Sequence, residues 1–569
     1  MKRLLPDWLK HYRADKLSGD LTAGLIVTVM LIPQSLAYAM LAGLPPEIGL
    51  YASVLPLIAY ALFGSSMTLA VGPVAVASLM TASALAPLAE QGSAQYIALA
   101  AQLSLLSGVM LLAFGMLRLG FLAYFLSHPV ISGFISGSAI LITVSQIKHL
   151  FGISSASPDV VGTLRDLITG LPQANPATTV IGLGTLVFLV MARKWLALWL
   201  QKLGLSASLA GLLGRLAPMA AVIASIAIVS GFNLAQDAGV RIVGNVPRGL
   251  PALQLIMPTS EGMAALWLPA LLISLVGFVE SVSVAQSLAL KRQQKIVPDR
   301  ELLGLGAANV ASALSGGYPV TGGFARSVVN FAAGANTPLA GVVSALLMAV
   351  VIAAFTDLFY NLPQAVLSAT IIVAVTSLID VSTLKETWHY DRADAFSLLA
   401  TLLGVVLLGV EAGVILGVAL SLAALVWRSS HPHIAVVGRV PGTEHFRNIE
   451  RHKVDTLPNL LALRVDESLF FANAALVQSK IETLVARDPN IRFVLLLCPA
   501  VNQIDSTALE ALTQLQSSLQ AKDIKFMLAE VKGPVMDRLQ GTTLGQRLEG
   551  LIFLSAHDAF CYVGRQSPA

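Results

Sequence analysis

Apolar and polar positions divide this chain into two unequal parts. From residue 21 to 428, apolar residues run for about twenty positions at a time, the length needed to cross a bilayer as a helix. The run GLIVTVMLIPQSLAYAMLAGL from Gly24 is typical. Runs of this length with few charges are read as membrane spans. Counting from Asp20, we expect fourteen spans, several of them short. Beyond residue 428 the pattern changes. Runs of strand length, NLLALRV, RFVLLLC and KFMLAEV, alternate with helical stretches, which predicts an α/β unit. Within DSTALEALTQLQSSLQAKD, the residues Ala508, Ala511, Leu512, Leu515 and Leu519 share one helix face. Asp505, or Thr507 together with Glu510, is placed to cap its start.

Composition sharpens this reading. Hydrophobic residues make up 56% of the chain and charged residues 12%, against about 25% charged in soluble proteins. This is a polytopic membrane protein. The net charge of +4 does not point to nucleic acid, because the basic residues gather in alternate connections between spans. One side holds Arg118, then Arg193, Lys194, Lys202 and Arg215, then Lys291, Arg292, Lys295 and Arg300, and finally Lys385, Arg392 and Arg428. The other holds Lys148, Arg165, Arg241 and Arg248, offset by Asp159, Asp166, Asp237 and Glu261. The positive-inside rule then places both termini in the cytoplasm, which needs an even number of spans. The layout expected is a cytoplasmic segment 1–20, a transmembrane domain 21–428 with repeats at about 21–232 and 264–428, a linker 429–450, and a soluble domain 451–565. The first twenty residues lack the apolar core of a secretory leader.

Several function classes are excluded. Cys498 and Cys561 are the two cysteines, with no CxxC, so neither a disulfide framework nor a metal site is expected. No cofactor is called for. The soluble part carries no Gly-rich phosphate loop, which argues against a nucleotide-driven pump. No nucleophile–base pair stands out, so an enzyme is the weakest reading.

Two places break the apolar pattern in matching ways. GPVAVASLM from Gly72 opens the third segment, and YPVTGGFARS from Tyr318 opens the tenth. Seven spans separate them, an odd number, so the two halves are inverted. Proline removes a backbone donor and glycine weakens a helix, so both segments are read as partly unwound. Paired interruptions of this kind point to a transporter's central site. If the two short helices meet, their N-termini bring unpaired N–H groups and about half a positive charge each. Arg326 adds a full charge and a planar fork of donors. Together they describe an anion site, with Thr321 and Ser327 as further donors.

Two other spans carry polar groups at lipid depth. The first has Pro33, Gln34, Ser35 and Tyr38, where Gln34 is a donor toward an anion and Pro33 bends the helix. The eighth, ALLISLVGFVESVSVAQSLAL, has Glu280, Ser281 and Ser283. An intramembrane carboxylate is functional by default. One reading is a static ion pair with Arg326, which need not exclude function, and the sharper one is a coupling group. Ionised, it repels an incoming anion; burial disfavours that form, and a bound proton removes the repulsion. A carboxylate with hydroxyls beside it also suits sodium. Asp357, Asp380 and Glu411 fall at span ends, where capping is expected.

PPEIGLYASVLPLIAYALFGSS, the following VGPVAV, HPVISGFISGSAILITVSQIKHLFG and GGYPVTGGFARSVVNFAAGANTPLAG resemble, in order, the signature blocks of the sulfate permease (SulP) anion transporters. VLLLCPAVNQIDSTALEAL resembles a STAS domain. The resemblance implies fourteen spans in two inverted seven-span repeats, divided into core and gate domains, with a cytoplasmic α/β STAS domain. It also implies elevator-like alternating access and a homodimer. Substrate-site positions carry over to Gln34, Tyr38, Pro73, Val74, Glu280, Ala325 and Arg326. Some relatives have a bulky aromatic in place of Val74 and a serine in place of Ala325, which leaves the cargo open. Glu280 looks more like proton-coupled than sodium-coupled members. In the STAS fold the position of Ser506 can carry a phosphate, although a plain helix-start serine is the favoured reading.

The expectation is therefore a secondary transporter in a bacterial inner membrane, taking up sulfate with protons. The alternatives are bicarbonate with sodium, a dicarboxylate, chloride exchange, or a channel-like sensor signalling through its tail. The expected partners are the anion, lipid, a second copy and a regulatory protein on STAS.

Overall fold

The computed structural model describes all residues except 1–5, 11, 125–126, 154–159, 207–209, 212, 215, 255–259 and 567–569. Asp159 and Arg215 of the charge pattern therefore lie outside the described residues. The chain divides into two compact units, Met1–Ser421 and Leu422–Ala569.

The first unit is helical. Among its helices are α1 (Leu17–Leu41), α2 (Pro46–Tyr51), α3 (Leu55–Phe63), α4 (Ala75–Leu85), α5 (Ala94–Met116), α6 (His128–Phe151), α7 (Pro176–Met191) and α8 (Ala217–Gly231). After these come α9 (Ser260–Leu290), α10 (Pro298–Leu314), α11 (Phe324–Ala332), α12 (Leu339–Ala354), α13 (Gln364–Thr376), α14 (Arg392–Leu408) and α15 (Val410–Ser430). Eight helical stretches among the described residues are long and apolar enough to cross a membrane, and three more apolar helices are shorter. That measure does not reach the expected fourteen spans. It passes over α11, which is only nine residues long.

These helices form two packing groups. In one, α10 packs on α5 and α3, α9 on α4 and α5, and α11 and α12 on α1. In the other, α14 and α13 pack on α6, and α13 and α8 pack on α7. Each group mixes helices from both halves of the sequence. Small residues bring the axes together. A Cβ on Gly108 would come within 2.7 Å of the Val310 amide, and one on Gly133 within 2.4 Å of the Leu398 carbonyl. Buried carboxylates tie the connections. Glu301, at the start of α10, accepts from the Tyr60 hydroxyl (2.8 Å), the Ser65 amide (2.8 Å) and hydroxyl (2.7 Å), and the Ser66 amide (3.0 Å). Asp20 accepts from the amides of Asn336 (2.6 Å) and Thr337 (2.9 Å) and from the Thr337 hydroxyl (2.6 Å).

The second unit, after the end of α15, is an α/β domain. Six strands, β3 (Ile434–Arg439), β4 (Phe446–Asn448), β5 (Leu460–Val465), β6 (Phe493–Leu497), β7 (Lys525–Ala529) and β8 (Ile552–Phe553), form one sheet in the order β4-β3-β5-β6-β7-β8. β5 to β8 are parallel, and β3 pairs antiparallel with β4 and β5. Residues 429–450, expected to be a linker, thus supply two strands of this sheet. An edge strand of three residues is too short to show an alternation. Helix α16 (Ser506–Gln520) buries Ala508, Leu512, Leu515 and Leu519, and Asp505 caps it by accepting from the Ala508 amide at 2.8 Å.

Candidate functional site

Two residues of β1 (Val71–Gly72) pair with two of β2 (Thr321–Gly322), antiparallel, with Val71 opposite Gly322 and Gly72 opposite Thr321. Each strand runs directly into a short helix, α4 or α11. The residues at the helix starts, Val74 and Gly323, are extended and supply no side-chain cap. The two N-termini therefore converge on one crossing, with the positive ends of both dipoles facing it. Pro73 has no N–H to satisfy there, and Gly72 takes a φ of +151° that a side chain would rarely adopt.

Buried side chains hold the crossing. Asn309 of α10 brackets Val320, accepting from its amide and donating to its carbonyl, both at 2.9 Å. Ser312 donates to the Tyr318 carbonyl at 2.7 Å. Ser281 accepts from the Gly322 amide at 2.9 Å and donates to the Gly277 carbonyl at 2.6 Å. Ser327 accepts from the Ala70 amide at 2.9 Å and donates to the Gly323 carbonyl at 2.7 Å. Asn330 donates to the Thr68 carbonyl at 2.9 Å. A two-residue ladder leaves many backbone groups unpaired, and these side chains satisfy them away from water. Ser281 and Ser327, read from the sequence as ion and anion contacts, are thus placed as supports for the backbone. Asn309, Ser312 and Asn330 escaped sequence reasoning, although polar residues in the apolar context of NVASAL and VVNFA were a visible signal.

Arg326 is 3% exposed, and among the described residues neither Nη1 nor Nη2 has a hydrogen-bond partner. Its guanidinium lies against the crossing itself. A Cβ on Gly72 would sit 3.4 Å from Nη2, and one on Gly323 would sit 3.0 Å from it. At Gly323 the missing side chain makes room for the charge, whereas at Gly72 a Cβ would reach only ordinary contact and the positive φ is what favours glycine. Thr321 Oγ1 is likewise buried without a partner. Tyr38, Tyr318 and Glu280 are within electrostatic reach of Arg326. Arg326 and Glu280 do not form an ion pair, which removes the static-pair reading. Arg326 also lines a narrow cavity shared with Val27, Leu31, Tyr60, Asn330 and Ser344.

A wider cavity of about 320 Å³ lies on another side of α11. Gln34 and Ala325 line it from the first packing group; Thr370, Ser377 and Arg193 line it from the second. Tyr38, Pro73 and Val74 are buried around the crossing. Glu280 is half-buried and faces an apolar cavity formed with Val276 and Val279 of its own helix, Val130 and Phe134 of α6, and Val414 of α15. It sits where the two packing groups meet. Ser506 is exposed at the start of α16. Asp380 caps the helix Val381–Tyr390, and Asp357 pairs with Arg248.

Comparison with known proteins agrees with this architecture. The profile of the sulfate permease family matches residues 17–401, and that of the STAS domain matches residues 451–559. A chloroplastic sulfate transporter of Arabidopsis thaliana, 4.1, is 37% identical over 92% of this chain and 76% of its own length. A probable sulfate transporter of Mycobacterium tuberculosis is 35% identical over 97% of this chain and 96% of its own. Among solved structures, the murine Solute Carrier 26 family member A9 anion transporter in its inward-facing state superposes with a TM-score of 0.91, at 23% identity, covering 99% of this chain and 94% of that one. The transmembrane domain of the cyanobacterial bicarbonate transporter BicA superposes with a TM-score of 0.61 at 26% identity, covering 71% of this chain and 98% of that one. Signature blocks, paired broken helices and overall likeness lead to one conclusion: this chain is a member of the sulfate permease family, with a STAS domain at its C-terminal end.

Proposed function

We propose that this protein is a secondary transporter of a small inorganic anion, and that its cargo is sulfate taken up together with protons. The observation that carries the proposal is the buried, unpartnered guanidinium of Arg326 behind two uncapped helix ends. Such a constellation is expensive for a protein to hold unless an anion offsets it. Gln34 and Ala325 face the wider cavity, and the anion is held there against the first turns of α4 and α11. Arg326 acts on it through the glycine crossing as a fixed field, and Gln34 orients it as a donor.

Glu280 supplies the coupling. Glu280 lines an apolar cavity together with Phe134 and Val414, and an ionised carboxylate in such surroundings resists sliding of one packing group past the other. A bound proton removes that resistance and the repulsion toward an anion at once. The two packing groups act as core and gate in an elevator-type cycle. The protein works as a homodimer in a bacterial inner membrane with both termini cytoplasmic, and the STAS domain offers a surface to a regulatory partner.

Bicarbonate is the second reading, motivated by the likeness to BicA. Dicarboxylates and chloride suit the same donors. Labelled-sulfate uptake into proteoliposomes tests the proposal. Uptake should rise with an inward proton gradient, and Glu280→Gln should abolish that dependence. Uptake that ignores protons and follows sodium would refute the coupling, and competition by bicarbonate stronger than by unlabelled sulfate would refute the cargo.

A further inference from the structure

The wall of the wider cavity opposite Gln34 and Ala325 carries a second guanidinium. Residues Ala192–Leu196 form a π-helical turn between α7 and the helix Ala197–Lys202. Such turns insert one extra residue and recur at functional sites, because the ladder is disturbed at a cost in stability. Here the turn divides the side chains that follow. Trp195 and Trp199 are 48% and 64% exposed, as befits aromatic residues at a bilayer boundary. Arg193 instead lines the cavity. Its Nη1 donates to the Val373 carbonyl of α13 at 3.1 Å. Among the described residues no ion pair holds it, so its charge stays available to the cavity.

We propose that Arg193 is a second anion-contact residue, a receiving site on the gate side that takes the anion as it leaves the helix crossing. This rests on the reading of the crossing as an anion site and extends it to the other wall. Arg326 belongs to the first packing group and Arg193 to the second. When one group moves against the other, the distance between the two charges must change. An anion between them is shared in one state and handed over in the other. Such a hand-off keeps binding at the crossing from becoming a trap, since release is assisted by a wet, partly screened charge. The anion is of the class a single guanidinium accepts, a small oxyanion with paired oxygens.

The test uses the full chain in proteoliposomes of known orientation. Burial pushes the Cys498 thiol up to about 12, so it is unreactive at neutral pH, and only Cys561 needs replacement, by serine. On that background, Arg193→Cys should raise KM for sulfate presented from the face carrying the basic loops by about tenfold, with the maximal rate changed by less than about twofold. An aminoethyl methanethiosulfonate adduct, which restores a positive charge, should bring KM back. A sulfonatoethyl adduct should raise it further. An unchanged KM in Arg193→Cys, or equal effects of the two reagents, would overturn the proposal. The second outcome would show that only the tie to Val373 matters. If Arg193 variants behave as wild type while Arg326→Met is inactive, this inference falls and the crossing stands. If Arg326→Met transports normally, the reading beneath it falls as well.

Discussion

Replacing Arg326 by methionine separates stability from function in an unusual direction. Most buried arginines are paired, and removing one leaves its partner stranded. Here both terminal nitrogens lack partners and the residue is 3% exposed. A buried hydrogen-bonding group left unmade costs about 1–3 kcal/mol, and a buried unpaired charge costs several kcal/mol even after relaxation. Methionine keeps much of the length and removes both penalties. The loss is van der Waals contact between the guanidinium and the glycines at 72 and 323, worth about 0.1–0.2 kcal/mol per atom pair. The net expectation is a variant more stable than wild type by about 1–3 kcal/mol.

Binding should move the other way. Opposite unit charges about 4 Å apart attract by about 4 kcal/mol at an effective dielectric of about 20, and by about 1 kcal/mol in bulk water. With the crossing between them, a loss of about 3 kcal/mol, or roughly a hundredfold in affinity, follows. Thermal unfolding in detergent, with and without sulfate, reads both effects. Sulfate at 100 times the wild-type Kd should stabilise wild type by about 2.7 kcal/mol and Arg326→Met, for which that concentration only matches its own Kd, by about 0.4 kcal/mol. Uptake should fall in parallel. A variant that melts below wild type yet keeps its sulfate shift would refute the reasoning, because Arg326 would then be a structural residue.

Glu301→Ala should destabilise strongly, by about 3–5 kcal/mol, since it strands the Tyr60, Ser65 and Ser66 donors away from water; a melting temperature within a degree of wild type would contradict this. Glu301→Gln, which keeps an acceptor toward the Ser65 and Ser66 amides, should fall between the two. Gly49→Ala should cost about 1–3 kcal/mol by overpacking, because its Cβ would lie 1.9 Å from the Ser35 carbonyl; uptake should drop with it, since Ser35 adjoins Gln34, and an active, normally melting variant would refute the contact. In the STAS domain, burial raises the Asp466 carboxyl, but hydrogen bonds from Arg464 and His433 outweigh it and hold it below the usual carboxylate value. That stability is present above the unfolded-state value and is lost as pH falls through the folded one, so Asp466→Asn should flatten the acid limb of the unfolding profile. An unchanged acid limb would sink that assignment.

Much of the site was legible because its chemistry is local. Pro73, Pro319 and the glycines beside them interrupt apolar runs wherever they fold, and Arg326 stands out against lipid by its type alone. The same holds for the apolar face of α16 and its Asp505 cap, which need only neighbours within one turn. Ser281 and Ser327 were harder. A serine in a membrane helix reads alike whether it meets a ligand or a backbone amide, and only the ladder between β1 and β2 shows that these two meet amides.

By itself, the sequence determined the membrane character, the placement of the breaks, the positive charge beside the second one, and the α/β nature of the tail. All of these follow from composition and short-range period. Tertiary structure alone decided that the two breaks pair, with Ala70 and Ser327 in contact across 257 residues. It also decided that Arg326 stays unpaired while Glu280 turns to the apolar wall of α6 and α15, and that residues 429–450 extend a sheet. The physical reason is that pairing, burial and charge separation depend on which distant backbones approach each other. A linear pattern records what each residue is able to offer, and only packing selects the partner.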